Sequence, residues 1–143
     1  MKEYIHGGDI YRHPDVLDFS ANINPLGTPP AVVQAAKDSM EWICHYPDAC
    51  QEKLKQALAA YEQVPVEWLI CGNGAAELIF ALVQAVKPKR ALVMAPTFAE
   101  YAQALEAVGC EVDREILKKE DGFTLQRTIL EKLQKEDLQM VFL

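Results

Sequence analysis

No two cysteines of this chain stand in a Cys-x-x-Cys pair: Cys44, Cys50, Cys71 and Cys110 are scattered, and reduced thiols are expected. The one cluster of metal-ligating side chains, Cys44-His45 with Asp48 and Cys50, matches no standard zinc spacing, so no metal is expected. There is no run of lysine and arginine, and the formal net charge is −7, which argues against a nucleic-acid binder. Met1 to Pro14 has no apolar core of a secretory signal. The longest apolar helical stretch, 75–86, carries Glu77 and Gln84 and is too short to cross a bilayer. No membrane association is expected, and the expected location is cytoplasmic. Internal repeats and low-complexity segments are absent as well.

What is there is a soluble globular composition, 50% hydrophobic and 24% charged, in 143 residues, enough for one domain with a sizeable core. The chain is organised around Trp68 to Phe80. A short apolar run, Trp68 to Cys71, reads as a buried strand; Gly72-Asn73-Gly74 breaks it, and Ala75 opens a run with helical spacing. Strand, glycine turn and helix together point free backbone N–H groups and the positive end of a helix dipole at an anion. At Gly74 a phosphate can approach the main chain closely. Two readings stand here: a phosphate cradle, or an ordinary tight turn between strand and helix.

The missing residues narrow the phosphate. Gly72-x-Gly74 lacks the third glycine of the dinucleotide fingerprint, since Glu77 occupies that place, and no Gly-Lys-Ser/Thr follows. A mononucleotide or a phosphorylated cofactor fits better than NAD or ATP.

Before this stretch, Leu17 to Ser20 reads as a brief strand and Asn22 to Gly27 as consecutive turns. A helix is expected over 31–42 with proline in its first turn, ended by Tyr46-Pro47-Asp48. A second, over 50–61, would bury Leu54, Ala57, Leu58 and Tyr61. After it, strands at 68–71, 91–94, 110–116 and 138–143 alternate with helices at 75–86, 98–108 and 125–136, with Gly109 stopping the second of these. The expected fold class is α/β: an N-terminal helical arm followed by a βαβαβαβ part of a mainly parallel sheet with right-handed crossovers. The final strand, Gln139 to Leu143, lacks a turn, a following helix or a polar terminus, so a longer parent protein is expected.

These segments together resemble the N-terminal portion of fold-type-I pyridoxal-phosphate enzymes, in the branch shared by histidinol-phosphate aminotransferases and threonine-phosphate decarboxylases. The matching motifs are His6-Gly7-Gly8, Asp18 to Gly27, Tyr46-Pro47-Asp48, Gly72 to Glu77 and Pro96-Thr97-Phe98-Ala99-Glu100-Tyr101. They occur in the family's order over nearly the whole chain. The first two resemble the decarboxylase of cobalamin biosynthesis more than the aminotransferase.

The resemblance implies an incomplete fold-type-I transferase fold. Residues 1–45 would be an arm and helix of the small domain and dimer contact, and 46–143 the first part of the cofactor-binding large domain. It implies pyridoxal 5′-phosphate as cofactor, its phosphate held by the main chain of Gly74, Ala75 and Ala76 and its ring faced by Phe98. Tyr46 would reach the cofactor phosphate of the other subunit of a homodimer. His6, Gly7 and Asn24 fall in segments that line the pocket for a phosphorylated amino acid or amino alcohol. The implied reaction is decarboxylation of threonine phosphate to an aminopropanol phosphate; the alternative is transamination of histidinol phosphate. The family's cofactor-binding lysine, its aspartate at the pyridine nitrogen and its substrate-binding arginines would lie beyond residue 143. No catalytic residue is therefore expected within the chain, which by itself should be inactive. A small α/β binding domain, complete at this length, is the non-enzymatic alternative.

Overall fold

The computed structural model describes residues 7–135 and 137–143. The chain divides between Cys71 and Gly72 into two compact units.

In the first unit, proline decides where the first helix begins. Pro29 takes an extended conformation and Pro30 opens α1 (Pro30–Ser39), where its missing N–H would have had no partner anyway. A tighter turn, Met40–Trp42, follows, so the helical stretch closes before Tyr46-Pro47-Asp48. The second helix, α2 (Glu52–Glu62), starts after Gln51 in the left-handed region and is capped from outside. The Asp48 carboxylate accepts the N–H of Cys50 at 3.0 Å and of Glu52 at 2.9 Å. These bonds hold its carboxyl below the usual carboxylate range, the Glu52 bond contributing most and the Cys50 bond next.

Two expectations fail in this unit. Leu54, Leu58 and Tyr61 are not buried: α2 has no buried residue at all. Their spacing makes one helix face, as expected, but nothing described covers it. The strands expected at 17–20 and 68–71 do not form. Val66–Trp68 is a 3₁₀ turn entered through Pro65, and Leu69 is extended without a partner strand. Trp68 and Ile70 are 74% and 80% exposed. A strand is defined by its neighbour, and the described sheet offers this segment none.

The second unit is a three-layer α/β arrangement. Its elements are α3 (Gly74–Val86), β1 (Arg90–Ala95), α4 (Ala99–Ala107), β2 (Glu111–Ile116), α5 (Thr128–Lys135) and β3 (Met140–Phe142). The strands are parallel in the order β2-β1-β3. Arg90 to Ala95 pair with Glu111 to Ile116, and Ala91 to Val93 pair with Met140 to Phe142. The sheet thus has three strands among the described residues, not four.

Alternation along β1 sorts its residues to two faces. Ala91 and Val93 pack with Val83 of α3 and with Ala104 and Leu105 of α4, while Leu92 and Met94 pack with Ile129 of α5. Leu92 and Leu105 are wholly buried. The crossovers β1-α4-β2 and β2-α5-β3 run in opposite directions along the sheet with their helices on opposite faces. They therefore share one hand. Gly109, at φ +73°, ends α4, as expected.

Candidate functional site

In the second unit the turn 87–89 leads the chain from the end of α3 directly into β1. The first turn of α3 accordingly lies toward the carboxyl end of the sheet, where β1 gives way to Pro96-Thr97-Phe98. This is the edge at which open α/β sheets bind ligands.

The glycine turn is built by close approach and by its backbone. At Gly72 a Cβ would stand 2.8 Å from Glu77 Oε2 and 3.0 Å from Leu78 Cδ2, too close for any larger residue without displacement. Gly74 lies at φ +80°, a conformation that side chains disfavour, and a Cβ there would meet no atom within 4 Å. Its own N–H donates to the Gly72 carbonyl at 2.9 Å. The Asn73 N–H donates to the Glu77 carboxylate, one helical turn ahead. Asn73 makes no side-chain cap of its own. The donors that the start of the helix leaves without an earlier carbonyl are therefore those of Ala75 and Ala76. They follow Gly74, around whose Cβ position there is open space. A phosphate suits this arrangement: main-chain donors at the positive end of a 13-residue helix, next to a residue with no side chain.

Phe98 precedes α4 in an extended conformation and is 44% exposed. Tyr101 meets it edge-to-face, with ring centroids 5.8 Å apart, and stacks in turn on Phe142 of β3 at 4.5 Å and 11°. Phe98 is thus an aromatic surface braced from behind by two more rings, able to lie against a flat ligand.

The first unit carries the other expected positions. Gly7 and Gly8 are brought against the Asp18 to Ala21 segment. A Cβ at Gly7 would overlap the Ser20 carbonyl, and the Gly8 N–H donates to Ser20 Oγ at 2.9 Å. Ser20 in turn donates through its hydroxyl and its N–H to Asp18, and these two bonds hold that carboxyl below its usual range. Two of the expected motifs are one local structure. Asn24 turns inward on its own loop, its Oδ1 accepting the Leu26 N–H at 3.0 Å. Tyr46 is fully exposed. His6 lies outside the described residues.

Three features escaped the sequence reading. The first is the Glu77 carboxylate folding back on Asn73, signalled by an acid in the first turn after an asparagine. The second is Asp48 as a helix cap, signalled by an aspartate just ahead of a helix. The third, the Tyr101–Phe142 stack, has no local signal, because 41 residues separate the partners. Among the described residues no group of three or more His, Cys, Asp or Glu could hold a metal ion, and no helix is long and apolar enough to cross a membrane.

Comparison with known proteins then decides the family. Residues 14–143 match the family model described as aminotransferase class I and II. The chain belongs to that family. It is 47% identical over 96% of its length to a threonine-phosphate decarboxylase of Salmonella typhimurium, of which it spans 40%. To a histidinol-phosphate aminotransferase of Symbiobacterium thermophilum it is 33% identical over 78% of its length, covering 33% of that protein. Among solved structures, a histidinol-phosphate aminotransferase from Clostridium acetobutylicum superimposes with a TM-score of 0.72 at 25% identity, over 90% of this chain and 37% of that one. The fold is part of the fold-type-I pyridoxal-phosphate architecture, as the motifs implied. The chain spans well under half the length of each of these relatives.

Proposed function

We propose that this chain is part of a pyridoxal-phosphate enzyme that decarboxylates threonine phosphate, giving an aminopropanol phosphate and carbon dioxide. The observation that carries the reading is the likeness to the Salmonella decarboxylase, 47% identical over 96% of the chain, whereas histidinol-phosphate aminotransferases match at 33% over 78% and at 41% over 66% of it. The second unit suits its share of the work. Ala75 and Ala76 bind the cofactor phosphate through their N–H groups, and Gly74 keeps the approach open. Phe98, braced by Tyr101, lies against the pyridine ring and fixes its plane.

When bound, the cofactor supplies an electron sink for the pair left at the substrate α-carbon when a bond there breaks. The carboxylate leaves as carbon dioxide and a proton takes its place. Phe98 would hold the cofactor ring in place, and so would contribute to orientation rather than to proton transfer.

The remaining roles follow the same reading. Tyr46, fully exposed here, reaches the cofactor phosphate of the other subunit in a homodimer. His6, Gly7 and Asn24 belong to the substrate pocket. Residues 1–45 form the arm and helix of the small domain, and 46–143 begin the large domain. The exposed apolar side chains of the first unit, Trp42, Tyr61 and Trp68 among them, are surface for the rest of the enzyme to cover.

The test is to give threonine phosphate and histidinol phosphate separately to the complete enzyme with cofactor. Carbon dioxide release is expected from the first. Keto-acid-dependent transamination of the second as the dominant reaction would move the assignment to the aminotransferase.

A further inference from the structure

The Glu77 side chain has no place in the readings above, yet it is built into the glycine turn from two directions. Its carboxylate accepts the Asn73 N–H, and the same Oε2 lies only 2.8 Å from where a Cβ of residue 72 would stand. The absence of a side chain at Gly72 is what lets the carboxylate reach over the turn. With the Gly74 N–H closed onto the Gly72 carbonyl, both donors ahead of Ala75 are consumed inside the protein.

We infer that Glu77 is a positioning residue for the cofactor phosphate: it fixes the Gly72-Asn73-Gly74 turn so that only the following N–H groups face the anion. The inference rests on the phosphate cradle proposed above. Its logic is one of acceptance rather than charge. A carboxylate near a phosphate dianion repels it, so the side chain helps only by holding the backbone in a shape that the phosphate then finds ready. Without it the Asn73 N–H loses its acceptor and the turn gains freedom, which the phosphate must remove on binding. A glutamine at the same place can still accept that N–H through its amide oxygen.

The experiment compares pyridoxal 5′-phosphate with pyridoxal, which lacks only the phosphate, as ligands of the complete enzyme freed of cofactor. Both are titrated by absorbance, and thermal unfolding is recorded for every variant. In wild-type protein the phosphate-bearing ligand binds more tightly. Glu77→Ala is expected to reduce that preference about tenfold, the loss of one well-placed hydrogen bond's worth of organisation, while leaving pyridoxal affinity near wild type. Glu77→Gln is expected to keep the preference at or above the wild-type value. Gly72→Ala should reduce it too, and less so in a Glu77→Ala background, because part of its penalty is the clash with the carboxylate.

A folded Glu77→Ala enzyme with the wild-type preference overturns the inference. So does a Glu77→Gln enzyme as impaired as Glu77→Ala, which would make charge the working property. A general structural role would lower the melting temperature and weaken both ligands alike, and that result also counts against it. If the wild-type enzyme itself shows no preference for the phosphate, the cradle fails and the role of Glu77 falls with it. Preference in wild type with none lost in Glu77→Ala removes Glu77 alone.

Discussion

The first unit has no buried residue among those described, whereas the second holds every one of the buried residues, with Leu92, Leu105 and Val83 the largest of the wholly buried side chains. The sequences do not differ in kind. Both carry helices with apolar stripes, and in the first unit the rings of Tyr11, Trp42, Tyr46, Tyr61 and Trp68 are all exposed. What differs is whether the stripe has a partner within reach in the chain. In the second unit a parallel sheet gives α3, α4 and α5 two faces to close upon. Among its described residues the first unit has helices and turns but no sheet, so amphipathic spacing there creates a surface rather than a core. Local sequence makes an element; only a neighbour makes it bury anything.

The largest expected effect breaks the comparison at its core. Leu105→Ala empties a wholly buried site between α4 and β1 and should cost about 2–5 kcal/mol. Leu54→Ala, on half-exposed α2, should cost under about 1 kcal/mol in this chain. Denaturant unfolding of the two variants measures the difference. The contrast sharpens in the complete enzyme: if the apolar face of α2 is covered there, the Leu54 penalty rises toward the Leu105 value. An unchanged small penalty would make the exposed face a true surface.

Within the second unit, the exposed groups should matter more for binding than for folding, although a side chain at Gly74 also strains the turn. Phe98→Ala removes stacking worth about 0.5–1.5 kcal/mol, roughly a threefold to tenfold weakening of cofactor affinity in the complete enzyme. Gly74→Val blocks the open approach and also forces a β-branched residue to φ +80°, so its loss should be larger and confined to affinity for the phosphate-bearing ligand. Cofactor titration of folded variants decides both, and wild-type affinity in Gly74→Val would sink the cradle.

What the sequence could show follows the same line. Pro29-Pro30 opening α1, Gly109 closing α4 and the short apolar run of β1 were legible because each is written in the local sequence. So were the glycine turn at Gly72 to Gly74 and the helix behind it, because turn and helix start are local. That 68–71 forms no strand and that α2 buries no residue was not legible, because a strand and a buried face each require a partner that sequence spacing does not name. In the site, a role for Phe98 came only through resemblance, and the Tyr101 ring against it stacks on Phe142, joining segments far apart in the chain.

A smaller effect separates the units chemically. Cys44 and Cys50 in the first are exposed, while Cys110 in the second is buried, and burial, then the neighbouring Glu111 carboxylate, pushes its thiol up. A thiolate is the reacting form, so a thiol reagent should label Cys44 and Cys50 first and Cys110 last. Mass spectrometry of a time course reads the order. Early labelling of Cys110 would mean that the core of the second unit opens readily.

The smallest effect concerns how the first unit holds its helices without a core, by hydrogen bonds at helix ends. Asp48 accepts from Glu52 and Cys50, and both bonds favour its charged form, so its carboxyl lies below the ordinary 3.8. A folded-state value below the unfolded one means that the unfolded chain takes up the proton first. The cap's contribution is therefore fully present above the unfolded value and is lost as pH falls through the folded one. The Cys50 and Glu52 amide signals should shift together in an acid titration, with a midpoint below 3.8, as the first turn of α2 frays. Asp48→Asn keeps an acceptor but cannot titrate, so the shared step should vanish while much of the helix remains. A midpoint at or above the ordinary value would show that the carboxylate does not hold these amides in solution, and α2 would then depend entirely on whatever covers its apolar face.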